Sequence, residues 1–121
     1  MEFFIKQNSE RPLLMVEISR DYSALVHSHF DSDIENALIR FSMKDMTNGT
    51  YKVLMNTAFL TYKKLNNPDA PDEFYIFYKW YKKDTNKKGR YEGEFHISNH
   101  KGEITLPLNE KLYINIIWQN N

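Results

Sequence analysis

EFYIFYKWYKKDTNKKGRYEGEFHIS, residues Glu73 to Ser98, is the stretch on which the fold turns. Two alternating aromatic runs, Phe74 to Tyr81 and Arg90 to Ile97, flank a lysine-rich segment whose glycine, Gly89, stands immediately before the second run. Side chains of a strand point alternately to its two faces. In the first run Phe74, Ile76, Tyr78 and Trp80 therefore share one face, and Tyr75, Phe77, Lys79 and Tyr81 share the other. Both faces are apolar except at Lys79, as expected of a strand central to a sheet. In the second run Tyr91, Gly93, Phe95 and Ile97 oppose Arg90, Glu92, Glu94 and His96, so that strand is half solvated. The expectation is a strand, a turn and a strand: a hairpin that seeds the fold.

Upstream, Ile39, Phe41 and Met43 alternate with Arg40, Ser42 and Lys44, and Asn48-Gly49 supplies a hairpin signal because both residues tolerate positive φ. The run from Tyr51 to Lys64 then returns antiparallel, with a bend near Asn56-Thr57. KKLNNPDAPD, residues 63 to 72, reads as a loop. Downstream, Asn99 to Gly102 turns into a strand that Pro107 must end or place on an edge. Leu112, Ile114, Ile116 and Trp118 alternate in the closing run. Near the start, Leu13 to Ile18 reads as a strand bounded by Pro12, and one short helical turn is expected near residues 22 to 36. Phe3-Phe4-Ile5 at the N-terminus needs burial, either as an edge strand or as a docking arm over residues 1 to 12. The sum is a single all-β domain, residues 1 to 121, of about seven to eight short strands with turn signals near every ten residues. Such spacing is expected of an antiparallel β-sandwich, with a closed barrel as the alternative.

Composition narrows the function classes. Sixteen basic and sixteen acidic side chains balance, so the domain as a whole has no electrostatic reason to seek nucleic acid. Lys79, Lys82, Lys83, Lys87, Lys88 and Arg90 form a local exception opposed only by Asp84, read either as a contact for an acidic partner or as a solubilising loop. The absence of cysteine excludes disulfides and thiolate metal sites. No stretch reaches transmembrane length, and the N-terminus lacks the pattern of a signal peptide, so no membrane partner is expected.

Candidates for chemistry are few. His27 and His29 have metal-pair spacing in an extended segment, but nothing in the chain brings His96 or His100 to them. Glu92, Glu94 and His96 share a strand face, with the carboxylates ~7 Å apart, read as an acid–base set or as a solvent face paired with cross-strand lysines such as Lys79. Phosphate loops, nucleophile elbows and zinc-protease helices are absent from the sequence. No enzymatic activity and no cofactor are expected. Tyr75, Tyr81, Tyr113 and Trp118 suit either a stacking face for a glycan or the rims of packed sheets.

Three phrases, IRFSMKDMTNGTYKV, YKWYKKDTNKKGRYEGEFHI and GEITLPLNEKLYINI, together resemble small β-sandwich domains of tailed-bacteriophage virion proteins. In particular the stretch from Ile39 to Ile117 is similar to the immunoglobulin-like N-terminal domain of baseplate upper proteins, with Gly89, Tyr91 and Phe95 at the matching positions. The resemblance implies a structural component of a virion, a decoration, neck or baseplate adaptor assembled in the host cytoplasm, whose partners are other virion proteins and copies of itself. Contacts are then expected at Phe3, Phe4 and Ile5, at Lys82, Lys83, Lys87 and Lys88, and at Trp118, and removal of residues 1 to 8 should leave the domain folded. The alternative is a carbohydrate-binding module that takes a surface glycan on exposed aromatics.

The same phrase carries a structural expectation of its own. In immunoglobulin-like sandwiches a tyrosine just after a corner hydrogen-bonds back to the corner backbone. Tyr91, following Gly89, is placed for that bond. Gly93 stands where such domains often carry a cysteine, and Trp80 and Phe95 are expected to fill the centre.

Overall fold

The computed structural model describes residues 1–18, 36–63, 73–100, 102–107 and 110–118. The helical turn expected near residues 22 to 36, and the histidines His27 and His29, lie outside them, apart from Asn36. Among the described residues the strands are β1 (Glu2–Lys6), β2 (Leu14–Ile18), β3 (Leu38–Asp45), β4 (Tyr51–Thr57), β5 (Phe59–Lys63), β6 (Glu73–Tyr78), β7 (Gly89–Asn99), β8 (Gly102–Leu106) and β9 (Leu112–Ile117). They form an all-β sandwich. The larger sheet runs β1-β9-β7-β3-β4, with β8 also on β7, and the smaller runs β2-β6-β5.

This is the immunoglobulin-like order. Strands β2, β6 and β5 take the B, E and D places of one sheet, and β4, β3, β7 and β8/β9 take C′, C, F and G of the other. The last place is split. Residues 95–99 of β7 pair with β8, and residues 89–93 pair with β9. Pro107, which has no N–H to donate, stands at the break. One departure from the antiparallel expectation lies at the start of the chain, where β1 pairs parallel with β9. After β1 the chain crosses to the smaller sheet, so no hairpin dictates its direction.

The stretch from Glu73 to Ser98 is not a hairpin. Its first strand ends at Tyr78 and belongs to the smaller sheet, while β7 belongs to the larger, so residues 79–88 form a corner between sheets with one 3-10 turn, Lys82–Asp84. The facing of the side chains is nevertheless as the alternation predicts. Phe74, Ile76, Tyr78, Trp80, Tyr91, Gly93, Phe95 and Ile97 are all buried. The expected centrality of β6 also holds, within a sheet of three. In the same way the bend expected near Asn56-Thr57 is a change of sheet: β4 ends, Ala58 donates its N–H to the Ile39 carbonyl at 2.8 Å, and β5 joins β6.

Aromatic rings join the two layers. Phe41 on β3 meets Phe95 on β7 at 4.9 Å between centroids and Tyr78 on β6 at 4.7 Å. Trp80, buried although it lies beyond the end of β6, sets its edge against both Phe41 and Tyr78 and stacks on Phe3 at 5.9 Å. Arrangements of this kind contribute about 0.5–1.5 kcal/mol per pair beyond the area they bury. Gly93 makes the packing possible. A Cβ there would lie 2.5 Å from Ile114 Cδ1 and 3.0 Å from Phe41 Cε1, so the place that cysteine takes in antibody-type sandwiches is filled here by neighbouring side chains.

Candidate interaction surface

The lysine-rich segment is a fixed corner, not a solvated tip. Asp84, buried, accepts hydrogen bonds from the Tyr78 hydroxyl at 2.7 Å and the Tyr81 N–H at 2.9 Å, and so ties the 3-10 turn to the end of β6. Asn56 donates to the same Tyr78 oxygen at 3.1 Å. Burial first, and then the hydrogen bond to Asp84 and the charge of that carboxylate, hold the Tyr78 phenol well above its usual range. Thr85, also buried, donates Oγ1–H to the Ser9 carbonyl at 2.8 Å, and Asn8 donates its N–H to the Thr85 carbonyl at 2.9 Å. Tyr91 makes the corner bond, donating its hydroxyl to the Lys87 carbonyl at 2.8 Å, and burial raises its phenol too. Beside it Asp45 accepts the Thr47 N–H at 2.8 Å and lies 3.4 Å from Lys87 Nζ. The Thr47 hydrogen bond is the main cause that lowers the Asp45 carboxyl below its ordinary value.

Several basic side chains of the segment are thereby engaged within the domain. Lys87 faces Asp45, and Arg90 reaches Glu2 Oε2 at 3.0 Å while its guanidinium lies 4.1 Å above the Tyr113 ring. Lys83 lies over Tyr81 and Lys88 over Trp118, at 5.7 Å and 4.6 Å from the ring centres. Lys79 does not pair with Glu92 or Glu94 as the hairpin predicts. The sheet change takes it to the smaller sheet, where its ammonium sits 5.2 Å from the Phe59 ring. Glu92 instead meets Lys111 at 3.8 Å, and His96 lies between Glu94 at 3.9 Å and Glu103 at 3.4 Å.

Residues 2–6, read as an arm or an edge strand, form strand β1. Its inward residue Ile5 is buried under the sheet and Phe3 stacks on Trp80, so neither is free to contact a partner. Removing residues 1 to 8 strips both from the core, against the expectation that the domain folds without them. Phe4 points outward and is 57% exposed. The β1–β9 register sets Phe4 opposite Asn115 and Lys6 opposite Ile117, which makes Phe4 and Ile117 diagonal neighbours on one face. Ile117, exposed, leads directly into Trp118, 64% exposed, with Lys88 over its ring. Phe4, Lys6 and Ile117 thus share the outer face of the larger sheet, and Trp118, with Lys88 over its ring, lies exposed just past the end of β9. Lys82 and Lys83 lie at the corner, also exposed, but Lys87 is turned to Asp45. Ile117 was missed because alternation places it simply on the polar side of β9, and only the parallel pairing shows what stands beside it.

A cleft of about 350 Å³ lies at the break between β8 and β9, lined by Glu92, Gly93, Glu94, Pro107, Glu110, Lys111 and Leu112. Its walls carry mixed charge. Among the described residues no group of three histidines or carboxylates is placed to hold a metal ion. Nor do the aromatics proposed for a glycan converge: Tyr75 lies on the smaller sheet, and Tyr113 is covered by the Arg90 guanidinium on the larger. No family model, curated protein or solved structure matches the chain.

Proposed function

We propose that this chain is a non-enzymatic structural component of a bacteriophage virion, acting through protein–protein contacts. The observation that carries the contact role is the pair of exposed apolar side chains Phe4 and Ile117 on the outer face of the larger sheet, followed at the end of β9 by exposed Trp118, with Lys6 beside the first two and Lys88 over the tryptophan ring. Apolar patches of this kind mark interaction sites when polar residues rim them. Tryptophan and tyrosine rings next to basic groups also suit the centre of such sites, where they desolvate well. The assignment to a virion rests on the resemblance of the three phrases between Ile39 and Ile117 to phage sandwich domains.

The test is direct. Particles banded from a lysate that carries this gene are washed, disrupted and analysed by mass spectrometry. The reading expects the chain at constant stoichiometry to the main capsid or tail protein. A chain abundant in the lysate and missing from washed particles refutes it.

A further inference from the structure

The open edge of β1 is complementary to itself. In the larger sheet β1 is terminal, and among the described residues no strand pairs with its outer side. Tyr113 donates its N–H to the Met1 carbonyl at 2.9 Å, and Gln7 donates to the Ile117 carbonyl at 2.9 Å. Parallel pairing uses the main-chain groups of alternate residues, so Phe3 and Ile5 bond toward β9. The N–H and C=O groups of Glu2, Phe4 and Lys6 point to the open side. Of these, the Lys6 carbonyl accepts the Ser9 N–H at 3.1 Å.

We propose that this edge pairs with the β1 edge of a second copy of the chain, antiparallel, about a two-fold axis at Phe4. The sequence Glu2-Phe3-Phe4-Ile5-Lys6 then sets Phe4 opposite Phe4, Glu2 opposite Lys6, and Lys6 opposite Glu2. The bonding parity agrees with the charge pattern. Centred on Phe4, the residues whose main-chain groups face outward are the same ones that meet in hydrogen-bonded pairs, and about four main-chain bonds form once the Lys6 carbonyl is set aside. Glu2 is held ready by Arg90 at 3.0 Å and Asn115 Nδ2 at 3.0 Å, and each of its oxygens keeps a lone pair for the lysine. Lys6 has no ion pair among the described residues. Directly opposed charges of opposite sign stabilise an antiparallel pair, and like charges destabilise it.

The edge is also undefended. At the other end of the sheet β4 carries two register shifts against β3, and Met55 adopts a φ of 53° with its N–H held by Ser42 Oγ at 2.8 Å. Bulges of that kind twist an edge away from pairing. Strand β1 runs in unbroken register, all five of its residues paired with β9. The inference concerns the isolated chain and goes beyond membership of a particle.

The experiment is sedimentation of the full chain, with any tag at the C-terminus. The wild type is expected to show a concentration-dependent dimer. Lys6→Glu alone and Glu2→Lys alone oppose like charges and should each raise the dimerisation midpoint about tenfold or more. An equimolar mixture of the two variants opposes Lys to Glu at both positions and should recover wild-type affinity as a heterodimer. Because Glu2→Lys also removes the Arg90 contact, recovery in the mixture is the outcome that a folding defect cannot produce. Phe4→Pro deletes an N–H that points away from β9 and should give a monomer with an unchanged circular dichroism spectrum. A wild type that stays monomeric at every concentration reached, a mixture no tighter than the single variants, or a dimer that survives Phe4→Pro overturns the proposal.

Discussion

Gly93→Ala probes the centre of the sandwich with one methyl group. The new Cβ lies 2.5 Å from Ile114 Cδ1 and 3.0–3.2 Å from two atoms of the Phe41 ring. Ile114 and Phe41 are both fully buried, so neither has open space to retreat into. The Ile114 methyl must turn to another rotamer against its packed neighbours, and the ring must yield by a few tenths of an ångström. Overpacking of this kind costs about 1–3 kcal/mol. Against it stands the lower entropy of the unfolded alanine chain, worth about 0.4–1 kcal/mol where the backbone allows it. The net expectation is a loss of about 1–2 kcal/mol, or roughly 4–8 °C in Tm for a domain of this size. Urea unfolding of a double-mutant cycle isolates the cause. Ile114→Val removes the clashing Cδ1 and alone costs about 0.5–1.5 kcal/mol, but in combination it should recover about 1 kcal/mol of the alanine penalty. If Gly93→Ala is as stable as the wild type, or the two substitutions add without coupling, the close approach at Gly93 is not what excludes a side chain there.

Tyr91→Phe deletes the bond to the Lys87 carbonyl and should cost about 1 kcal/mol, read as a lower Cm in urea with unchanged m. Asp84→Ala leaves the Tyr78 hydroxyl and Tyr81 N–H without their charged acceptor and should cost about 2–3 kcal/mol, with Asp84→Asn intermediate, since an amide oxygen still accepts. Asp45 has its folded pKa depressed, so its contribution is present above the unfolded value near 3.8 and fades as pH falls through the folded one. Asp45→Asn should therefore flatten the acid limb of the stability curve below about pH 4, and an unaltered limb counts against the Thr47 bond. Tyr78 and Tyr91 have raised folded values, so their contribution is complete below the unfolded value of 10.0 and is lost as pH climbs above it. Alkaline melts of the Tyr78→Phe variant should show a shallower decline than the wild type. Trp118→Ala should leave the melting temperature within about 2 °C, because an exposed side chain carries little folding energy, while lowering particle incorporation severalfold; normal incorporation removes Trp118 from the contact surface.

The faces of the strands were legible because alternation is local. Steric pleating sends Tyr91, Gly93, Phe95 and Ile97 to one side whatever the partner strand is, and Ile39, Phe41 and Met43 likewise. The Asn48-Gly49 turn and the stop at Pro107 were legible for the same reason, since each follows from the backbone limits of one or two residues. Tyr91 belongs with them, as its spacing from Gly89 needs no knowledge of the rest of the chain.

Sheet membership was not legible. The segment from Lys79 to Lys88 has the composition of a hairpin turn, and a corner between sheets uses the same residues. What separates the two is Asp84, which gathers Tyr78 and Tyr81, together with Thr85, which reaches Ser9 from the other end of the chain. The outward apolar pair was hidden more deeply. Phe4 and Ile117 are far apart in the chain and become neighbours only because β1 lies parallel to β9, and Lys88 reaches Trp118 only because β7 lies on the other side of β9. Alternation thus assigns each residue to core or solvent from its own neighbours alone. The choice of partner strand depends on how well whole faces pack, a comparison among alternatives that no local pattern contains. For that reason the inward residues of Glu73 to Ser98 could be named from the sequence, and the placing of Phe4 beside Ile117 could not.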